Sequence, residues 1–237
     1  MRLKEFLSVR GIEFQSINVL EDAAGRAELQ RIGARSIPVL SRGDEFVFAQ
    51  NISQVVAFLK LNEKTGPVLS PAQLNERLLR FIDAALRIIP QMPDDRLDTE
   101  VPNRPRRYRV LAHHMFRIPE AFVEVSEGAA FSQGLPTAVP NEEDMANTAA
   151  LAAYGRKVRD RVVRWWAETP DKTCQRVVET YYGPQKLHEV LERTTWHIGQ
   201  HTRQWNMLLG TAGVAADYPL GEADFADLPM PKKVWDD

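Results

Sequence analysis

The stretch PQKLHEVLERTTWHIGQHTRQWNMLL, residues 184–209, decides how the larger part of the chain is read. Leu187, Val190, Thr194 and Ile198 fall on one face at helical spacing, and Trp205 and Leu208 continue it. Pro184 suits a first helical turn and Gly210 stands just past the last apolar residue, so the pattern predicts a helix over about 184 to 209. His197 and His201 are four residues apart, which puts them one turn apart on that same face. The face points inward, and two imidazoles buried there without partners are costly. A shared metal ion resolves the cost, because neutral imidazole is a common ligand.

Outward from this stretch, the same periodicity predicts three more long helices, over about 71–89, 105–127 and 147–168. Pro119 is expected to bend or split the second, and the polar stretch 128–146 reads as a long loop. Four amphipathic helices of similar length predict an all-α four-helix bundle, whose metal sites are built from side chains on facing helices. LAHHMF, residues 111–116, puts His113 and His114 in the middle of the second helix. Adjacent helical residues diverge by about 100°, so only one of the two faces the ion. His114 lies beside Leu111 and Ile118 on the apolar stripe and is the chosen ligand, with His113 as the alternative. His114, His197 and His201 then make three protein ligands with an open position, the pattern of a catalytic rather than a structural site. Three imidazoles suit zinc, nickel, copper or iron.

VLAHHMF on the second helix and LHEVLERTTWHIGQHTRQ on the fourth, with YYGPQ at 181–185 and LPMPKKVWDD at 228–237, resemble the DinB/YfiT-like four-helix metalloproteins. The resemblance covers about residues 70–237. It implies a divalent metal, zinc or nickel foremost, held by one histidine of the second helix and a histidine pair of the fourth. It also implies thiol-dependent transferase or isomerase chemistry with a low-molecular-weight thiol. In some members the partner of the histidine standing at 197 is at 193; here that position is Arg193, and His201 is the direct substitute.

The first sixty residues have another rhythm. LKEFLSVRG reads as a short helix closed by Gly11, IEFQSINV alternates as a half-buried strand does, and AGRAELQRIG reads as a helix stopped by Gly33. IPVLS and FVFA read as strands about an RGDE turn, and NISQVVAFLKL as a third helix capped by Asn51 or Ser53. This order predicts a small α/β unit over residues 1–62, joined by NEKTGPVLSP to a bundle over 70–212, with an extension at 213–237 packing on it. GIEFQSINV, IGARSIPVL and FAQNISQVVAFL resemble glutaredoxin and other thioredoxin-fold proteins. The resemblance implies that Ile37 and Pro38, in SIPVL, stand where a cis-proline opens a strand and the preceding backbone meets a thiol peptide. It implies that Asn51, Ile52 and Ser53 stand where relatives hold the γ-glutamyl carboxylate of glutathione, a task suited to a helix N-terminus. Met1 begins where the family's redox cysteines would just have ended, so either the unit is abbreviated or the reading frame starts earlier. Thiol–disulfide exchange needs a thiolate, and the unit as written has none.

The 237 residues are 44% hydrophobic and 26% charged with net charge −2, which fits a folded protein and carries no strong electrostatic footprint for nucleic acid. The densest basic run, RPRRYR at 104–109, reads as a solvated helix start. No run of about 18 apolar residues predicts a membrane span. A single cysteine, Cys174, excludes an intrachain disulfide and reads as structural filler; the expected location is cytoplasmic. Trp165 and Trp166 read as core and rim; Arg203 as a partner for an anion or a carboxylate; Glu189 and Glu192 as solvated or proton-transferring groups. The expected function is a metal-dependent enzyme using a thiol such as glutathione on a small electrophile, with a homodimer as the expected assembly. The alternative is a non-catalytic metal-binding or stress-response module with the amino-terminal unit as a docking domain.

Overall fold

The computed structural model describes residues 2–9, 11–50, 52–62, 66–102, 104–217 and 219–235. The chain divides into two compact units, Met1–Gly66 with Tyr181–Gly183, and Pro67–Thr180 with Pro184–Trp235. No helix among the described residues is long and apolar enough to cross a membrane.

The amino-terminal unit contains α1 (Arg2–Val9), α2 (Ala23–Arg31), β1 (Val39–Arg42), β2 (Glu45–Phe48) and α3 (Ile52–Phe58). Gly11 and Gly33, with φ of +64° and +75°, follow the first two helices as expected of glycine stops. The Asp22 carboxylate accepts from the Gly25 backbone N–H at 3.0 Å and starts α2. The strands form an antiparallel hairpin, Val39 opposite Phe48 and Arg42 opposite Glu45, around a turn with Gly43 at φ +61°. Leu3, Leu7, Ala49 and Val55 make its core, with Phe6, Ile12, Leu40, Val47 and Leu59 packed around them.

The strand predicted for IEFQSINV does not form. No ladder partner lies beside residues 12–19 among the described residues, and the sheet has two strands. The alternation leaves Phe14 37% and Ile17 44% exposed. A period of two marks which side chains share a face, but a strand also needs another backbone to pair with.

The second unit is mostly helical. Its long helices are α4 (Pro71–Ile88), α5 (Tyr108–Ser126), α6 (Thr148–Glu168) and α7 (Leu187–Thr211), with a short α8 (Glu222–Phe225). Ser70 and Gln73 form a reciprocal capping box ahead of Pro71, which fixes where α4 begins. α4 packs against α7 and α6, and α5 against α6 and α7. Leu78, Phe81, Phe116, Val158, Ile198 and Trp205 are among the side chains buried between them. Two glycines set the closeness of these contacts. A Cβ at Gly199 would come within 2.7 Å of the Phe81 ring, and one at Gly155 would collide with the Phe116 ring.

Three expectations are corrected here. α7 begins at Leu187 rather than Pro184, because Gln185–Lys186 pairs with Val177–Val178 in a two-residue ladder, β4 on β3. α5 begins at Tyr108, because Arg107 is bridged to Glu100 and lies in extended backbone. RPRRYR is therefore largely a lead-in to the helix rather than its start. Of the two outcomes expected at Pro119, the split does not occur: α5 runs through it as one helix, since a proline removes one backbone hydrogen bond and the element is held by many buried side chains.

Candidate metal centre

His114 comes from the middle of α5, and His197 and His201 from the middle of α7, the helix packed against it. Their ring centroids lie 4.8 Å apart for His197 and His201, 5.0 Å for His114 and His201, and 5.6 Å for His114 and His197. One ligand nitrogen from each lies within 4.8 Å of the others. A tetrahedral ion bound at zinc–nitrogen distances brings such atoms to about 3.3 Å, so side-chain rotations of about an ångström close the set.

The protein fixes two of the three rings. His114 Nδ1 is 2.8 Å from the Pro136 carbonyl, so it carries the proton and leaves Nε2 with a free lone pair. Pro136 sits in a 3-10 turn, Leu135–Thr137, of the segment read as a polar loop. His201 Nδ1 is 2.7 Å from Gln204 Oε1 and donates to it. The Gln204 amide is itself oriented, its Nε2 donating to the Val234 carbonyl at 3.0 Å. This leaves His201 Nε2 and His197 Nδ1 buried without a hydrogen-bond partner.

Burial lowers the pKa of all three histidines, that of His201 to about 4, and their mutual repulsion and the Arg106 charge push His114 and His197 further down. At neutral pH the three rings are therefore neutral and present lone pairs rather than protons. Two buried nitrogens without a hydrogen-bond partner beside a third imidazole could hold a divalent cation, for which neutral imidazole is a suitable ligand.

The other two histidines have separate roles. His113 is buried and stacks on Tyr154, centroids 4.6 Å apart and rings 8° from parallel. His188 Nε2 donates to the Leu69 carbonyl at 2.9 Å and ties the start of α7 to the residue before the α4 cap. Glu189 accepts from the Lys186 backbone N–H at 3.0 Å, a helix-start contact. Arg203 donates to the carbonyls of Pro231 at 2.8 Å and Lys232 at 3.2 Å in the late segment and to Gln200 Oε1 at 3.0 Å, and pairs with no carboxylate among the described residues. Cys174 is buried and its thiol pushed up by burial, the state of a filler residue. Trp165 is core, edge-on to Phe122 at 4.8 Å, and Trp166 is half-buried at the rim.

In the amino-terminal unit the Ile37–Pro38 peptide is cis and leads into β1. The Ile37 carbonyl accepts from Gln50 Nε2 at 2.9 Å. Ile52 and Ser53 open α3, both half-buried, while Asn51 lies outside the described residues.

Sequence reasoning did not find Gln204 or Pro136. Gln204 was legible in principle, three residues after His201 on one helix face. Pro136 was not, because only the folded loop brings it to α5.

Residues 1–47 match the Glutaredoxin family. A search of curated proteins finds no match to the chain. The amino-terminal unit is glutaredoxin-like, and the helical region carries a three-histidine group but no match to the DinB family.

Proposed function

We propose that the chain is a metal-dependent enzyme using a low-molecular-weight thiol such as glutathione, of the thiol-transferase or isomerase type. The observation that supports it most is the pair of orphan ring nitrogens on His197 and His201 beside the His114 ring. Each unsatisfied buried polar atom costs about 1–3 kcal/mol, and a bound ion offsets that cost. Zinc or nickel suits three neutral imidazoles. A divalent ion held by them would supply Lewis acidity and lower the pKa of a thiol or water reaching it. The chain's own contribution is orientation and charge state: Pro136 and Gln204 hold two rings, and burial keeps all three unprotonated.

The thiol half of the proposal rests on the glutaredoxin match. Ile37, Pro38, Ile52 and Ser53, with Asn51, are the residues we assign to glutathione. The pairwise packing of α4 to α7 supports a DinB-like four-helix bundle. A cytoplasmic homodimer acting on a small electrophile completes the reading. A non-catalytic metal-binding module is the second reading, favoured by the burial of Cys174, the single cysteine of the sequence.

Protein purified without a metal-capturing tag is expected to carry a divalent ion by elemental analysis and to lose several degrees of Tm on chelation. His201→Ala should lower metal affinity more than about a hundredfold and abolish the Tm response. Turnover of an electrophile with glutathione should require the metal. Absence of both metal and chelator response overturns the proposal; metal without turnover selects the second reading.

A further inference from the structure

A cavity of about 460 Å³ is lined by His113 and His114, by Pro105, Val110, Ala138 and Val139, and by the charged Glu100, Arg106 and Arg107 with Thr137. A volume of this size takes a small organic molecule. The arginines around it are not equivalent. Arg107 donates to Asp98 at 3.0 Å and pairs with Glu142. Arg109 donates to Asp98 at 2.7 Å and to the Met145 carbonyl at 3.1 Å. Arg106 alone among these makes no side-chain hydrogen bond or ion pair with any described residue. Glu100, the one carboxylate lining the cavity, does not pair with it.

We propose that Arg106 is the anion-binding residue of this cavity, and that the molecule bound there is a small monocarboxylate with an apolar body. The proposal builds on the metal-centre reading, because His114 is among the residues lining the cavity. A guanidinium holds a planar carboxylate through two parallel N–H···O bonds. One unpaired guanidinium beside the valine, alanine and proline walls matches one negative charge and a hydrocarbon remainder, whereas a phosphate dianion calls for more free donors than are left by Arg107, already paired with Asp98 and Glu142, and Thr137, whose hydroxyl donates to the Gln133 carbonyl. Burial and the neighbouring Arg104 charge lower the Arg106 pKa, and no carboxylate opposes them. A bound carboxylate would return what that desolvation takes away. It would also hold the rest of the ligand in a cavity that His114 lines.

The probes are butyrate, its neutral isostere butyramide and inorganic phosphate, titrated against the full chain and followed by amide NMR shifts at Val110, His113 and Thr137. Butyrate is expected to bind at millimolar concentration, and butyramide roughly tenfold or more weakly. Arg106→Gln should weaken butyrate by roughly tenfold to a hundredfold and erase the difference from butyramide, with metal content and Tm unchanged; Arg106→Lys should be intermediate. Equal binding of butyrate and butyramide, no butyrate binding, an unaffected Arg106→Gln variant, or tighter phosphate than butyrate would each overturn the proposal. The titration is run on zinc-loaded and on chelated protein. Arg106-dependent binding to chelated protein upholds the anion site even if the metal reading fails. Butyrate binding that needs zinc and survives Arg106→Gln assigns the carboxylate to the ion and overturns the role of Arg106.

Discussion

α5 carries two buried polar clusters three residues apart, and they are built on opposite terms. At Arg117 the guanidinium donates to Glu120 at 2.8 Å and to both carboxylate oxygens of Glu124 at 2.9 and 2.6 Å. Tyr154 on α6 donates to the same Glu120 at 2.6 Å, and Arg161 closes the group with Glu127 at 2.6 Å. Every charge there meets its opposite. At His114 the cluster is made of three like groups, none able to neutralise another, and two of its nitrogens face inward with nothing to bond. The first cluster is complete as the chain folds. The second has donor atoms to spare and could hold an ion. Polarity and burial alone do not separate a structural network from a site; the balance of donors and acceptors does.

The contrast can be broken by mutation, and the largest effect belongs to the closed cluster. Arg117→Ala leaves the half-buried Glu120 and Glu124 with only the longer cation contacts of Arg161, at 3.8 and 3.6 Å, and should cost about 3 kcal/mol of unfolding free energy while leaving metal content as it was. Thermal or urea unfolding with parallel elemental analysis reads both quantities. A loss of metal in this variant would mean that the two clusters are one.

The open cluster should reveal itself through pH. His201 titrates at about 4 in the folded chain against an ordinary value of 6.5. Below 6.5 the unfolded chain therefore binds the extra proton, and stability present above that pH is lost as pH falls toward 4. For His201 this amounts to as much as about 3 kcal/mol. Urea unfolding of chelated protein between pH 7 and 4 should show that decline, and His201→Ala should make it shallower, with His114 and His197, also held low by burial, supplying what remains.

A smaller effect sharpens the comparison at its edge. Gln204→Leu removes the acceptor that orients His201 without touching a proposed ligand. Metal affinity should fall about tenfold, measured by competition with a chromophoric chelator, with the Arg117 cluster undisturbed.

The two clusters also show how far sequence reaches. α4 and α6 were legible almost to the residue, since their apolar stripes and boundary residues act within the helix itself. The histidine spacing on α7 and the choice of His114 over His113 followed from helical geometry, and the structure brings those three rings together. What spacing could not give was anything decided across the fold. IEFQSINV alternates like a strand but has no ladder partner among the described residues. In RPRRYR, three arginines within four positions end in different places, two on Asp98 and one in a cavity. A basic run looks uniform in sequence because its members differ only in what the distant chain brings to each.

The hydrogen bonds from Gln200, Arg203 and Gln204 to the carbonyls of Pro231, Lys232, Lys233 and Val234 lash the late segment along α7. Because Gln204 holds Val234 with one end of its amide and His201 with the other, strain applied to this strap is handed on to the imidazole. A purification handle placed behind Val234 is thereby separated from His201 by only two hydrogen bonds, so the untagged chain is the proper reference for metal content.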